Sequence, residues 1–164
     1  VTYSDDIVLS PQPDAPGWIR LLWINPAADV PSTARRIVAA VLVVIASAAT
    51  AWSGVVHLKL WHEKNGYAQL PTVGKLFLLQ GIACLVVAAA ALALRRLVVV
   101  VVGALLMASS IGGLAISLTG RGLFGYNETR DSPYVIAALV VESVAVASFV
   151  AAALVALTAP RPSA

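Results

Sequence analysis

Four stretches almost without charge constrain this chain more than any other feature. They run over 37–58, 76–94, 97–120 and 132–160, and Glu142 is the one charged residue within them before the end of the last. Each approaches or exceeds the about 20 residues that a helix needs to cross about 30 Å of hydrocarbon. None alternates strictly between apolar and polar residues, as a strand of a membrane barrel does. A helix satisfies its own backbone hydrogen bonds, so it is the simplest structure for a lone segment in lipid.

Composition agrees. Of 164 residues, 60% are hydrophobic and 12% charged, against about 25% charged in an ordinary soluble domain. Too little polar surface remains to coat a water-soluble monomer, and disorder requires the opposite composition. The net charge of +3 does not point to nucleic acid, because the 11 basic residues are scattered rather than clustered. The one cysteine, Cys84, lies in an apolar run and leaves neither a disulfide within the chain nor a zinc motif. The expected fold is an all-α membrane protein, with four transmembrane helices in an antiparallel bundle over 35–160. The helices are placed at about 37–61, 72–94, 97–119 and 132–158, with a short tail at 161–164.

The connections suit this arrangement. Polar and interfacial aromatic residues fill the stretch from Trp61 to Pro71, and Arg95-Arg96 alone joins the second and third helices. Pro133 falls at the start of the fourth helix, where its missing N–H costs nothing. Basic residues near the helix ends are nearly balanced between the two sides. The Arg35-Arg36 and Arg95-Arg96 pairs abut the apolar runs, which places both termini in the cytoplasm and the protein in the plasma (inner) membrane. The first 34 residues hold four aspartates and five prolines and show no basic segment leading into an apolar core, so no secretory leader is expected there.

Residues 1–34 read as an extended, proline-rich arm, because each proline removes a donor and restricts its predecessor. Within it, Trp18-Ile19-Arg20-Leu21-Leu22-Trp23 forms a short apolar patch. Two readings stand: an interfacial turn with its tryptophans at headgroup level, or a docking element in which Trp18, Arg20 and Trp23 engage a partner.

Polar residues at membrane depth are few. Glu142, nine residues past Pro133, falls near mid-membrane, and a carboxylate there calls for a partner or a function. Gln80, Ser53, Ser109 and Ser110 fall at similar depth and complete a candidate polar cluster. Its possible roles are hydrogen-bonded glue within the bundle, a contact to another subunit, or a proton or ion relay. Ser109, Gly113 and Ser117 recur every four residues, a spacing that lets helix backbones approach closely. His57 and His62 are five apart and so lie on different helix faces, which argues against a metal site with Glu63. A single histidine-bearing helix does not support haem. Gly120-Arg121-Gly122-Leu123-Phe124-Gly125 spells GxGxxG, yet it follows a membrane helix rather than a strand, so turn formation explains its glycines better than a nucleotide does. Asn127-Glu128-Thr129 is formally a glycosylation sequon and carries no weight by itself.

No nucleophile elbow, P-loop, carboxylate pair or Ser/His/Asp set is present, so no catalytic, cofactor-binding or metal-binding residue is assigned and an enzyme is not expected. The block His57-Leu58-Lys59-Leu60-Trp61, with Gly66-Tyr67 and the run from Leu70 to Gln80, resembles a family of small four-helix membrane proteins of actinobacteria. Gly122-Leu123-Phe124-Gly125-Tyr126, Glu128, Pro133 and Glu142 extend the resemblance, which covers about 52–145 and not the arm. It implies a fold and transfers no catalytic or cofactor residue. In general build the chain is also similar to accessory subunits of the actinobacterial cytochrome bcc–aa3 respiratory supercomplex. The leading expectation is therefore a non-catalytic accessory subunit, with membrane lipids and other integral membrane subunits as partners. The alternative is a stand-alone transporter or lipid-handling protein that uses Glu142.

Overall fold

The structure, a computed structural model, describes residues 16–25, 32–63, 66–130 and 132–158. The proline-rich stretches 1–15 and 26–31 and the tail expected at 161–164 lie outside the described residues. Among the described residues are five α-helices, α1 (Gly17–Leu22), α2 (Thr33–His62), α3 (Val73–Leu94), α4 (Leu97–Ser117) and α5 (Pro133–Leu157), and one 3₁₀ turn at Tyr67–Gln69. The last four are long and apolar enough to cross a membrane, so the protein is a multi-pass, all-helical membrane protein.

The helix ends follow local chemistry. The α2 helix starts at Thr33, four residues before the apolar run, because Arg35 and Arg36 are good helix formers that reach the interface. At 30 residues it is about 45 Å long and extends beyond the hydrocarbon, carrying these arginines at one end and Lys59 at the other. Between α3 and α4, Arg95 takes the left-handed conformation (φ 48°). That single residue reverses the chain and makes the tight hairpin expected of Arg95-Arg96. The α4 helix stops at Ser117, two residues short of expectation, where the Leu118 N–H turns back to the Leu114 carbonyl (3.1 Å).

Contacts at the helix ends establish an antiparallel bundle. Arg35, at the start of α2, donates to the Thr158 carbonyl just past the end of α5 (3.2 Å). Lys59, near the end of α2, donates to the Tyr134 hydroxyl at the start of α5 (3.0 Å). The α2 helix is central and packs on both α3 and α5, while α4 packs mainly on α5. Gly54 and Gly81 allow the closest approach of α2 and α3: a Cβ on Gly54 would lie 3.0 Å from the Gly81 carbonyl oxygen.

The two ends of the bundle differ. Toward the arginines, Val43, Ala46, Ala91, Val100, Phe149 and Ala152 form a filled apolar core, and Cys84, Met107 and Ala145 continue it inward. Toward the opposite, loop end, a cavity opens between the helices and is lined in part by polar residues. Large apolar side chains such as Val44, Leu79, Leu105 and Ile136 are exposed on the outside, the surface a lipid environment covers.

The arm segment docks on its own chain. The Ile24 carbonyl accepts the Leu97 N–H (2.8 Å) and so satisfies one of the orphan donors at the start of α4. The Arg96 guanidinium donates to the Trp23 carbonyl (2.8 Å) and lies 5.5 Å from the centre of the Trp23 ring.

Candidate functional site: a cavity between the helices

A cavity of about 270 Å³ occupies the loop half of the bundle. Its inner end is built on Glu142, carried into the bundle by α5 and 1% exposed. Ser53 of α2 donates to Glu142 Oε1 at 2.8 Å, and Ser110 of α4 donates to the same oxygen at 2.7 Å. Two donors on one oxygen leave the other free. Glu142 Oε2 is buried and has no partner among the described residues. Such an atom demands explanation, because a buried acceptor without a partner forfeits its hydration with nothing in return.

Of the polar residues expected at this depth, the structure joins Glu142, Ser53 and Ser110. Gln80 lines the same cavity but turns across to α4, where its Nε2 donates to the Leu106 carbonyl (3.4 Å) and approaches Cys84 Sγ (3.7 Å). Ser109 bonds back to the Leu106 carbonyl (2.8 Å) and is exposed. The small-residue row Ser109, Gly113 and Ser117 lies along the cavity wall. A Cβ on Gly113 would meet only the Leu123 side chain, at 3.8 Å, so this row leaves room for the cavity rather than seating a neighbouring helix.

One turn beyond Ser53, His57 places Nδ1 2.9 Å from the Ser53 carbonyl and 3.4 Å from its hydroxyl. Its ring rests against Phe77, with centroids 5.0 Å apart. It thus bonds within its own helix. Among the described residues no three His, Cys, Asp or Glu side chains gather as a metal site would require.

At the outer end a cap ties the two polar loops together. Tyr67 stacks on Phe77 (3.8 Å between centroids, 9° between planes) and donates to Glu128 Oε2. Tyr126 donates to the same carboxylate oxygen at 3.2 Å and meets Tyr67 edge-on. The other oxygen of Glu128 accepts the Thr129 N–H (2.9 Å), and the Glu128 N–H donates to the Ser117 carbonyl (2.9 Å). Burial first, then the bond to Glu128, holds the Tyr67 phenol far above its ordinary range, and burial raises that of Tyr126. Both remain hydrogen-bond donors at any neutral pH.

The glycines of the GxGxxG stretch shape this cap. Leu123 and Tyr126 exchange backbone hydrogen bonds (2.8 and 2.9 Å) around a turn in which Phe124 and Gly125 both have positive φ, the geometry of a type I′ turn. The cap itself was not evident from sequence. Its residues come from loops that are close only after folding, and the signal on offer was two tyrosines and a glutamate in segments flanking long apolar runs.

Of the three docking candidates in the arm, Trp18 is 64% exposed and Arg20 is exposed. Trp23 is half-buried against Arg96.

Fold and site together define a four-helix membrane protein with an internal cavity, packed at one end and hollow at the other. No protein-family model, curated protein or solved structure matches the chain.

Proposed function

We propose that this is a non-catalytic plasma-membrane protein, with both termini in the cytoplasm, that holds a small amphiphile in the cavity beneath the Tyr67–Glu128–Tyr126 cap. The observation that carries this reading is Glu142, which lines an otherwise largely apolar cavity and whose buried Oε2 has no partner among the described residues. An apolar hollow with a few convergent polar groups is the usual form of a small-molecule site, and about 270 Å³ falls near the lower end of the range. The ligand's apolar body would lie between α3 and α4, with its polar group toward Glu142.

Mass spectrometry of the protein released from a mild detergent tests this reading. The wild type retains a bound small molecule that Gly113→Leu, whose side chain projects into the cavity, does not. Equal retention by both would place the molecule elsewhere and contradict the proposal.

A second reading, an accessory subunit of a larger membrane complex such as the actinobacterial respiratory supercomplex, is favoured by Trp18. This large aromatic is exposed on α1, a helix whose position is fixed by the contacts of Trp23 and Ile24 with the α3–α4 hairpin. Co-migration with haem absorbance on a native gel, weakened in Trp18→Ala, is its expected outcome. A haem-free band at the size of the isolated chain contradicts it.

A further inference from the structure

The charge pattern of the cavity selects among amphiphiles. Among the described residues that line it, none is Lys or Arg, while two, Glu128 and Glu142, are acidic. Phosphate and carboxylate head groups are held by guanidinium and ammonium donors, and this wall offers none. His57 is the one base in it, and its Nδ1 is already engaged by Ser53. Lys59 is exposed and engaged elsewhere: it donates to the Tyr134 hydroxyl at 3.0 Å and faces Glu63 at 3.9 Å.

The two acids are not equivalent. Glu128 has both oxygens occupied, by Tyr67, Tyr126 and the Thr129 N–H. Glu142 has one oxygen occupied twice and the other without a partner among the described residues. A carboxylate in an apolar surround needs a counter-charge, and among the described residues no Lys or Arg pairs with it. The outer wall adds Tyr67, Phe77, Tyr126 and Tyr134, ring systems of the kind that attract ammonium groups.

We propose that the occupant is a lipophilic cation, a compact ammonium or quaternary ammonium group on an apolar body, whose charge is met by the free oxygen of Glu142. This rests on the amphiphile-binding reading and narrows it to one chemical class. Ser53 and Ser110 then act as positioning residues that hold Oε1 and so fix the direction of Oε2. The aromatic wall receives the cation on its way inward, and the lack of Lys and Arg rejects anionic lipids.

The test compares two probes of the same shape, benzyltrimethylammonium and its uncharged isostere neopentylbenzene, by ligand-observed NMR on the full chain in an uncharged maltoside detergent. The expected result is saturable binding of the cation that is weakened at least about tenfold in Glu142→Gln, the scale on which loss of one partner of a desolvated charge pair acts. Binding of the neutral isostere stays within about twofold in the same variant, the isostere lacking the charge that such a pair requires, and this also shows that the variant is folded. Gly113→Leu abolishes both. If cation and isostere bind equally and neither responds to Glu142→Gln, the cavity takes amphiphiles but the cation inference is overturned. If neither probe saturates, or Gly113→Leu leaves binding unchanged, the amphiphile-binding reading falls with it.

Discussion

Glu142 was conspicuous in the sequence because a carboxylate in an apolar run is rare and costly. Two of its partners, Ser53 and Ser110, were within reach of depth arithmetic alone. Which oxygen they would bond, and that the other would be left over, depends on rotamers that no spacing encodes. The polar residues of this half are not alike in energy. Ser53→Ala removes one of two donors to a buried acceptor and is expected to lower stability by about 0.5–1.5 kcal/mol. Thr50 is fully buried three residues away, and its hydroxyl has no partner among the described residues. Thr50→Val keeps the shape and removes an unsatisfied group, so it is expected to be neutral or stabilising. Thermal unfolding in detergent checks both, and a Thr50→Val loss as large as that of Ser53→Ala would contradict this assignment. Tyr67 gives a second prediction at this scale. Its phenol is raised from the ordinary value of 10.0, so the folded state favours the neutral form. The stability linked to it is complete below about pH 10 and is lost as pH rises beyond that. Ultraviolet titration of phenolate should therefore give the same absorbance step near pH 10 in the wild type and in Tyr67→Phe. A smaller step in the variant would show that Tyr67 ionises normally.

At the scale of elements, the four long helices were legible because apolar run length measures the hydrocarbon crossing directly. Their ends were less so: α2 outruns its apolar stretch on Arg35 and Arg36, which a hydropathy reading counts as flanks. The capping of α4 by the Ile24 carbonyl left no trace in the sequence, since any residue has a carbonyl. Trp23 could be read as a docking residue, but not that its contact would be Arg96 of the same chain. Small residues were informative only in part. The row from Ser109 to Ser117 was visible by its period yet lines the cavity, while the tight contacts fall at isolated glycines. Gly103 is the clearest of these: a Cβ there would lie 2.6 Å from the ring of Phe149, a fully buried residue of the core. Gly103→Ala should therefore cost about 1–3 kcal/mol by overpacking, despite alanine's better helix propensity. Gly112→Ala, where a Cβ meets nothing within 4 Å, is the matched control. Equal unfolding temperatures for the two variants would contradict the packing described.

At the scale of the molecule, the bundle divides its tasks by end. The arginine end is a close-packed apolar core that holds the four helices together, and its loss would be felt as stability. The loop end forgoes such packing: a cavity opens, small residues line part of it, and a tyrosine–glutamate cap bridges the loops above it. A bundle built only to be stable would fill this half, since helix association in lipid depends on packing contacts. The central claim is that Glu142, though buried, lines an occupiable cavity rather than a sealed core. Modification by dicyclohexylcarbodiimide, an apolar reagent for carboxyl groups, tests it most directly when followed by peptide mass mapping of the protein in uncharged detergent. The account predicts one adduct, on Glu142, formed much more slowly in Gly113→Leu and in the presence of benzyltrimethylammonium. An unmodified Glu142, or one that reacts at the same rate in all three conditions, would contradict it.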